Sequence, residues 1–146
     1  MAFLIDTNVV LRLFHIQDPA HPLIREAILT LTQNSELLYF TQQTRREFWN
    51  VCTRPIGSNG WGMNTLATAR ALDEVEELLL YIPDCAETGP EWDRLVRQYD
   101  VVGRAVHDAQ LVASMLVNGI THILTLNGAD FQRYSAEITV VHPQEL

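Results

Sequence analysis

The sequence predicts an α/β protein whose mostly parallel central sheet is covered by helices on both faces, a three-layer α/β/α sandwich. Five short apolar runs, bounded by turn-forming residues, alternate along the chain with longer segments of helical period. Connections of this length allow neighbouring strands to run parallel, and such alternation is typical of parallel sheets. With 146 residues, of which 47% are hydrophobic, the chain fits a single domain spanning residues 1–146 with one buried core.

The predicted strands are almost wholly apolar, which indicates strands that are buried on both faces. They cover residues 3–5, 37–40, 78–82, 122–126 and 138–141. Helical periodicity between them predicts helices over residues 8–16, 21–34, 42–53, 63–77, 90–99 and 107–118. A proline and three glycines within residues 55–62 predict a surface loop between two helices.

Three of these helices have additional support. The first carries Val9, Val10, Leu13 and Phe14 at a spacing that gives the helix a core-facing side. The helix over residues 63–77 is amphipathic, and its solvated face carries four acids: Asp73, Glu74, Glu76 and Glu77. The segment over residues 109–116 is apolar almost all round, which predicts a core helix.

Charge and composition exclude several classes of protein. The net charge of −8 has the wrong sign for holding nucleic acid by bulk electrostatics, so any such contact must be local. All ten basic residues are arginines, which excludes mechanisms that need a lysine amine. Cys52 and Cys85 lack CxxC spacing and suit reduced thiols. No run approaches the ~18 apolar residues of a membrane span, and the start lacks a signal-peptide pattern, so we expect a cytoplasmic protein without membrane contact.

Three acids stand at similar positions in the predicted fold. Asp6 ends the first strand, Glu47 lies in the third helix, and Asp108 opens the last helix. Because sites in parallel α/β proteins gather beyond the carboxyl ends of the strands, we expect these distant acids to converge there. Carboxylates held close together repel one another, and a divalent cation offsets that repulsion. The sequence therefore suggests a magnesium site.

Each acid also has a structural interpretation. Asp6 would serve as a helix N-cap, and Asp108 would favour the helix dipole by about 0.3–1 kcal/mol. Glu47 lies on a partly apolar helical face, where an ion pair with Arg45 or Arg46 would compensate its burial. What these interpretations leave unexplained is that three such acids occur together.

Other polar residues stand near these acids. His107 is a candidate ligand or base, although a histidine beside a helix start is more often structural. Thr125 and Asn127 follow the fourth predicted strand, where they would hold metal-bound waters or phosphate oxygens, or else shape a turn. Asp130 is an accessory candidate that would cap the following segment.

Four motifs in this order resemble those of the PIN-domain ribonucleases, and most closely the VapC toxins of type II toxin–antitoxin pairs. They are residues 4–11 around Asp6, residues 46–51 around Glu47, residues 107–113 around Asp108 and residues 125–131. Residues 53–55 followed by 59–63 also look like a segment of one branch of these toxins. Each motif alone is weak, but four in order across nearly the whole chain are a strong joint signal. The departure is Asn127, which stands where many members place a carboxylate.

The resemblance implies a PIN-like fold and an endoribonuclease that uses Mg²⁺ or Mn²⁺ in an in-line hydrolysis leaving 5′-phosphate and 3′-hydroxyl ends. It implies Asp6, Glu47 and Asp108 as metal ligands, with Asn127 as a further catalytic residue. Thr7, Asn8, Thr125 and Asp130 would be auxiliary. Nearby arginines would contact the RNA, the candidates being Arg45, Arg46 and Arg104. The resemblance also implies a cognate antitoxin that covers the site, and a homodimer.

Two alternatives remain open at this point. A non-catalytic module that keeps the PIN scaffold for binding protein or RNA is favoured by the neutral Asn127 and disfavoured by three intact acids. A magnesium-dependent phospho-acceptor or phosphatase domain is less favoured, since those families use a lysine that this chain lacks. Such a phosphatase would also place an aspartate where Asn8 stands.

Overall fold

A computed structural model describes all residues from 1 to 146 and contains one five-stranded sheet. The strands are β1 (Ala2–Ile5), β2 (Leu37–Thr41), β3 (Leu80–Ile82), β4 (His122–Leu124) and β5 (Thr139–Val141). Their order across the sheet is β3-β2-β1-β4-β5, and every neighbouring pair is parallel. The predicted parallel sheet is therefore confirmed, with β1 at its centre.

Six α-helices connect and cover the strands. They are α1 (Thr7–Leu13), α2 (His21–Gln33), α3 (Gln42–Thr53), α4 (Thr65–Leu78), α5 (Thr88–Gln98) and α6 (Ala105–Val117). Three short 3-10 helices cover Ile56–Ser58, Gly128–Tyr134 and Pro143–Glu145. None of the helices is long and apolar enough to cross a membrane.

The sheet separates two apolar cores, as the alternation of side chains along a strand requires. In β1, Phe3 and Ile5 belong to the core shared with α1 to α4, whereas Leu4 belongs to the core shared with α5 and α6. All three side chains are nearly inaccessible to solvent. The three-layer α/β/α sandwich is thus confirmed, and the central strand is buried on both faces as predicted.

The edge of the sheet differs from the prediction. The predicted strand over residues 78–82 begins only at Leu80, because α4 continues to Leu78. β3 is an edge strand, and Leu80 and Tyr81 are 50% and 37% exposed, so burial on both faces was wrong for this strand. It was also wrong for β5, the other edge strand, whose Thr139 is exposed. A parallel edge strand has only one neighbour, and an apolar run alone does not reveal which strand lies at the edge.

The predicted loop over residues 55–62 folds back onto α3. Trp61 N and Met63 N donate backbone hydrogen bonds to Val51 O and Cys52 O. At Gly60 a Cβ atom would lie 1.9 Å from the Arg54 carbonyl oxygen, so only glycine allows this close approach. The loop therefore closes the end of α3 and keeps the helix that carries Glu47 packed on the sheet.

Candidate active site at the carboxyl ends of the strands

The polar residues that follow β1 and β4 meet at one point of the sheet edge. β1 continues to β2 on one side of the sheet and pairs with β4 on the other, which makes the gap between β1 and β4 a topological switch point. Asp6 directly follows β1, and Thr125 directly follows β4. Their side chains are in contact, with Thr125 Oγ1 donating to Asp6 Oδ2 at 2.7 Å.

Asp6 is held in one orientation by three donors. Besides Thr125, the backbone N–H of Thr7 donates to Oδ1 at 2.7 Å and Asn8 Nδ2 donates to Oδ2 at 3.1 Å. Asp6 is also the N-cap residue of α1, so its capping role is real and coexists with its place at the strand end. The residue is only 7% exposed. Burial raises its pKa, the three hydrogen bonds oppose that rise, and the charge of Glu47 adds to it.

Thr7 and Asn8 connect this acid to the neighbouring segments. Thr7 Oγ1 and Thr44 Oγ1 lie 3.0 Å apart, which links the start of α1 to α3. Asn8 Oδ1 accepts from the Leu126 backbone N–H at 3.3 Å, which links α1 to the segment after β4. These contacts hold the three elements that converge at the switch point.

Glu47 reaches the site from the second turn of α3, a helix whose start is capped by Thr41 at the end of β2. Gln43 Nε2 donates to Glu47 Oε1 at 3.1 Å, and no arginine forms an ion pair with this acid. Arg45 instead pairs with Glu76, and its guanidinium lies 3.8 Å from the centre of the Tyr81 ring. The alternative in which an adjacent arginine neutralises Glu47 is therefore wrong.

Asp108 lies in the first turn of α6. Burial raises its pKa to about 6, and the charges of Asp6, Asp130 and Glu47 contribute to the rise. His107 acts in the opposite direction. No arginine or histidine nitrogen lies within ion-pair distance of any of the four acids. Four carboxylates from separate segments thus share one electrostatic environment without a neutralising side chain.

The segment after β4 contributes a turn and a short helix. Asn127 is exposed, its backbone N–H donates to Thr125 Oγ1 at 3.0 Å, and its carbonyl accepts from Asp130 N. Asp130 lies in the 3-10 helix Gly128–Tyr134, and its charge acts on Asp108. Asp130 supplies the acidic group in this segment, while the Asn127 backbone shapes the turn.

Two cavities flank the acids, and His107 lines both. One, of about 400 Å³, is also lined by Arg104, Asp108 and Asp130. The other, of about 390 Å³, lies between α3 and the start of α6 and includes Arg46, Glu47 and Gln110. Arg46 and Arg104 are both exposed and make no ion pair, so two free guanidinium groups border the acids.

Two further residues of the second cavity, Gln43 and Trp92, were not predicted from the sequence. Neither belongs to the acidic motifs. Gln43 does precede Glu47 by four residues, a spacing that places both side chains on one face of a helix. That spacing was the available signal; Trp92 offered none, since it lies 45 positions from Glu47 in sequence.

The oxygen-rich donor set suits a hard divalent cation such as Mg²⁺ or Mn²⁺. No group of three or more histidine, cysteine, aspartate or glutamate side chains forms a ready-made metal-binding cluster. The mutual repulsion of Asp6, Glu47 and Asp108 is the force that an ion between them would relieve. The carboxylate oxygens suit such an ion by donor type, and the role of these residues as its ligands stays a prediction.

Fold and site together define a class of protein: a parallel α/β sandwich with an acidic cleft at the carboxyl ends of its strands. Within that class, the family model described as "PIN domain" matches residues 3–137. The chain belongs to the PIN domain family. No curated protein sequence matches it significantly.

Solved structures share the fold at low sequence identity. VapBC-1 from nontypeable Haemophilus influenzae has a TM-score of 0.71 at 15% identity, covering 99% of both chains. VapBC2 from Rickettsia felis, bound to a promoter DNA fragment, has a TM-score of 0.70 at 11% identity, covering 97% of this chain and 98% of that one. VapC20 of Mycobacterium tuberculosis, a toxin that cleaves the sarcin-ricin loop, has a TM-score of 0.62 at 17% identity, covering 94% and 96%. At these identities the likeness establishes a common fold.

Proposed function

We propose that this protein is a metal-dependent endoribonuclease and the toxin of a toxin–antitoxin pair. The observation that carries the proposal is that Asp6 lies at the switch point and that Gln43 bonds both Glu47 and the carbonyl of His107, the residue before Asp108, while none of the three acids has an ion-pair partner. The charges of Asp6 and Glu47 also contribute to the raised pKa of Asp108. Membership of the PIN domain family and the shared fold with an RNA-cleaving VapC toxin support the same activity.

The metal ligands in this proposal are Asp6, Glu47 and Asp108, and bound Mg²⁺ or Mn²⁺ would supply a Lewis acid and a water of lowered pKa. Asp6 is oriented for this task by its three hydrogen-bond donors, so little side-chain freedom is lost on binding. Glu47 is oriented by Gln43. Asp108, with its raised pKa, is the ligand whose protonation most readily competes with an ion.

The chain's own cations position the RNA. Arg46 and Arg104 border the acids on opposite cavities and have no ion-pair partner, so both are available for phosphate oxygens. This local arrangement reconciles RNA binding with a net charge of −8. Arg45 is the weakest of the three predicted arginines, since Glu76 and Tyr81 already hold its guanidinium.

The partners in this proposal are an RNA substrate, a protein antitoxin and a second copy of the chain. Several structures with this fold are toxin–antitoxin complexes, which supports a protein partner of that kind. An antitoxin that placed a basic side chain among the four acids would neutralise them as an ion does. We place the protein in the cytoplasm, where its RNA substrate and antitoxin would be.

Purified protein is expected to cleave RNA with Mg²⁺ or Mn²⁺ and to lose cleavage with a chelator. Asp6→Asn and Asp108→Asn should each lower the cleavage rate by at least about 10²-fold, because a lost ligand weakens metal binding. Gel analysis of a labelled RNA measures the rate, and circular dichroism verifies folding. Asp73→Asn, an exposed acid on α4 without an ion pair, is the matched control and should cleave normally. Absence of cleavage by the wild type with every metal would refute the proposal.

The second candidate is a binding module that keeps the scaffold without catalysis. The observation that favours it is the neutral Asn127 at the position where many relatives place a carboxylate. RNA binding without cleavage, together with no growth inhibition on expression, would support it. Growth inhibition that Asp108→Asn relieves would exclude it.

A further inference from the structure

The cavity between α3, α5 and the start of α6 holds features that the proposed metal chemistry does not use. Gln43, Arg46 and Glu47 line it from α3, and Trp92, His107 and Gln110 line it from the other side. Its volume is about 390 Å³, and Glu47 belongs both to it and to the group of acids. Whatever occupies the cavity therefore lies beside the proposed reaction centre.

Trp92 presents carbon to this cavity. Its indole Nε1 donates to the Val106 carbonyl at 2.9 Å, which engages the only polar atom of the ring and fixes the ring against the start of α6. The side chain is half-buried, so its remaining accessible surface is apolar. A fixed aromatic surface of this kind is what single-stranded RNA recognition uses for stacking an unpaired base.

Gln43 presents a hydrogen-bond acceptor. Its Nε2 donates both to Glu47 Oε1 and to the His107 carbonyl, each at 3.1 Å. Because both partners are acceptors, the orientation of the amide is determined, and Oε1 must be the atom on the other side. No protein donor reaches that oxygen, although it remains accessible. Gln43 Oε1 thus has no hydrogen-bond donor within the protein, and a ligand would supply one.

Gln110 and Arg46 complete the polar lining. The side chain of Gln110 is half-buried and makes no hydrogen bond within the protein, so its amide offers both a donor and an acceptor. Arg46 is exposed and unpaired at the same cavity. Its charge attracts a phosphate and disfavours a basic side chain of a partner protein as the occupant.

We propose that this cavity binds one unpaired nucleobase next to the scissile phosphate, stacked on Trp92 and bonded at its edge by Gln43 and Gln110. The inference rests on the proposed function and adds to it a base-binding subsite. Every base can supply the donor that Gln43 Oε1 lacks, from an exocyclic amino group in adenine, cytosine and guanine or from a ring N–H in guanine and uracil. The subsite therefore distinguishes a base from an abasic position.

Binding of RNA decamers tests the subsite separately from cleavage. The Asp108→Asn variant, which keeps every residue of the cavity, is titrated in Mg²⁺ against fluorescein-labelled oligo(A), oligo(C), oligo(U) and an abasic ribose-phosphate decamer. Fluorescence anisotropy should give an affinity about tenfold higher for oligo(A) and oligo(C) than for the abasic chain, because base stacking contributes to binding. Oligo(U) should also bind more tightly than the abasic chain.

Three further substitutions, each made in the Asp108→Asn variant, test whether the base binds in this cavity. Trp92→Leu should reduce oligo(A) affinity to that of the abasic chain, while Trp92→Phe should retain most of the difference. Gln110→Ala keeps the aromatic packing and should reduce the difference in affinity between oligo(A) and the abasic chain. Gln132→Ala, an exposed glutamine outside the cavity, is the matched control and should bind as its parent does.

Equal affinities for oligo(A), oligo(U) and the abasic chain would overturn the subsite, as would an absence of RNA binding. Cleavage by the wild type with equal affinities leaves the nuclease proposal standing alone. A higher affinity for the base-bearing decamers than for the abasic decamer, without any cleavage, would support the subsite and refute the nuclease proposal. If the difference in affinity between oligo(A) and the abasic chain is unchanged in the Trp92→Leu and Gln110→Ala variants, the base binds elsewhere. A protein side chain would then be the better occupant of the cavity.

Discussion

At the scale of single residues, the site is governed by how each carboxylate is solvated and held. Asp6 is almost fully buried and accepts three hydrogen bonds, whereas Asp108 is only half-buried and its charge meets three other acids. The same residue type therefore has two environments. Asp6 is structurally fixed, and Asp108 is the acid whose charge responds to conditions.

Thr125→Val tests how Asp6 is held. The substitution keeps the shape but removes the hydroxyl that donates to Asp6 Oδ2 at 2.7 Å, which leaves a buried carboxylate oxygen with one donor fewer. We expect the free energy of unfolding to fall by about 1–3 kcal/mol. Chemical denaturation at neutral pH measures it. Thr139→Val, at an exposed residue of β5, is the matched control. A similar loss of unfolding free energy there would contradict this explanation.

Asp108 predicts a pH dependence of stability. Its pKa is about 6 in the folded protein against 3.8 ordinarily, so the folded state binds more protons than the unfolded state between these values. Stability is then lost as pH rises from about 4 to about 6, and the loss persists above 6. Asp108→Asn should raise Tm relative to wild type at pH 8 and have little effect near pH 4. Thermal scans at both pH values measure this difference, and an equal effect at both would contradict it.

At the scale of elements, a network of charged side chains connects α5 to Glu137, which follows the 3-10 helix Gly128–Tyr134. Arg94 donates to Glu91 and to Glu137 Oε1, the latter at 2.6 Å, and Tyr99 donates to Glu137 Oε2 at 2.5 Å. The Tyr99 ring also packs edge-on against Tyr134, with 4.9 Å between ring centres. This network holds α5, and hence Trp92, against the segment that carries Asp130.

Glu137→Gln tests this fastening. Burial alone would raise the pKa of Glu137, but hydrogen bonds from Arg94 and Tyr99 lower it overall, so the charged form stabilises the fold. We expect the substitution to reduce the free energy of unfolding by about 1–2 kcal/mol at pH 7. A depressed pKa makes this contribution present above the ordinary value of 4.5 and lost as pH falls further.

Urea unfolding of wild type and Glu137→Gln at pH 7 and pH 3 measures the difference. The difference between the two proteins should be smaller at pH 3. Glu26→Gln, on an exposed glutamate of α2 without an ion pair or a side-chain hydrogen bond, serves as the control and should change stability little. A difference of the same size at both pH values would show that the charge of Glu137 is not its cause.

At the scale of the whole molecule, the fold concentrates like charges at one sheet edge in a chain that is already acidic. The net charge is −8, and none of the four acids at the site has an ion-pair partner. A bound divalent ion should therefore stabilise the folded state, because it interacts with the assembled acids and not with the extended chain.

MgCl₂ is expected to raise Tm above the value in NaCl of equal ionic strength. The effect should be reduced in Asp6→Asn, which lacks one proposed ligand, and retained in Asp73→Asn. Differential scanning calorimetry measures the shifts. Equal Tm values in the two salts for the wild type would contradict a metal site at these acids, whatever the result of the cleavage assay.

The sequence by itself determined the layers, the parallel sheet and the position of Asp6, because apolar runs of strand length, helical periodicity and a polar residue at a strand end are local patterns. It also led us to expect that Asp6, Glu47 and Asp108 converge, because the carboxyl ends of parallel strands lie at one edge, and their shared role as metal ligands stays a prediction. The sequence did not predict that β3 lies at the edge of the sheet, since strand order depends on pairing between distant segments.

The tertiary structure alone decided which neighbours each site residue has. It turned Arg45 towards Glu76 and left Arg46 free, although the two are adjacent in sequence. It brought Asp130 close enough to act on Asp108, and it placed Trp92 across a cavity from Gln43. Charge coupling and cavity shape depend on distances through space, and these are established only when helices from distant parts of the chain pack on a common sheet.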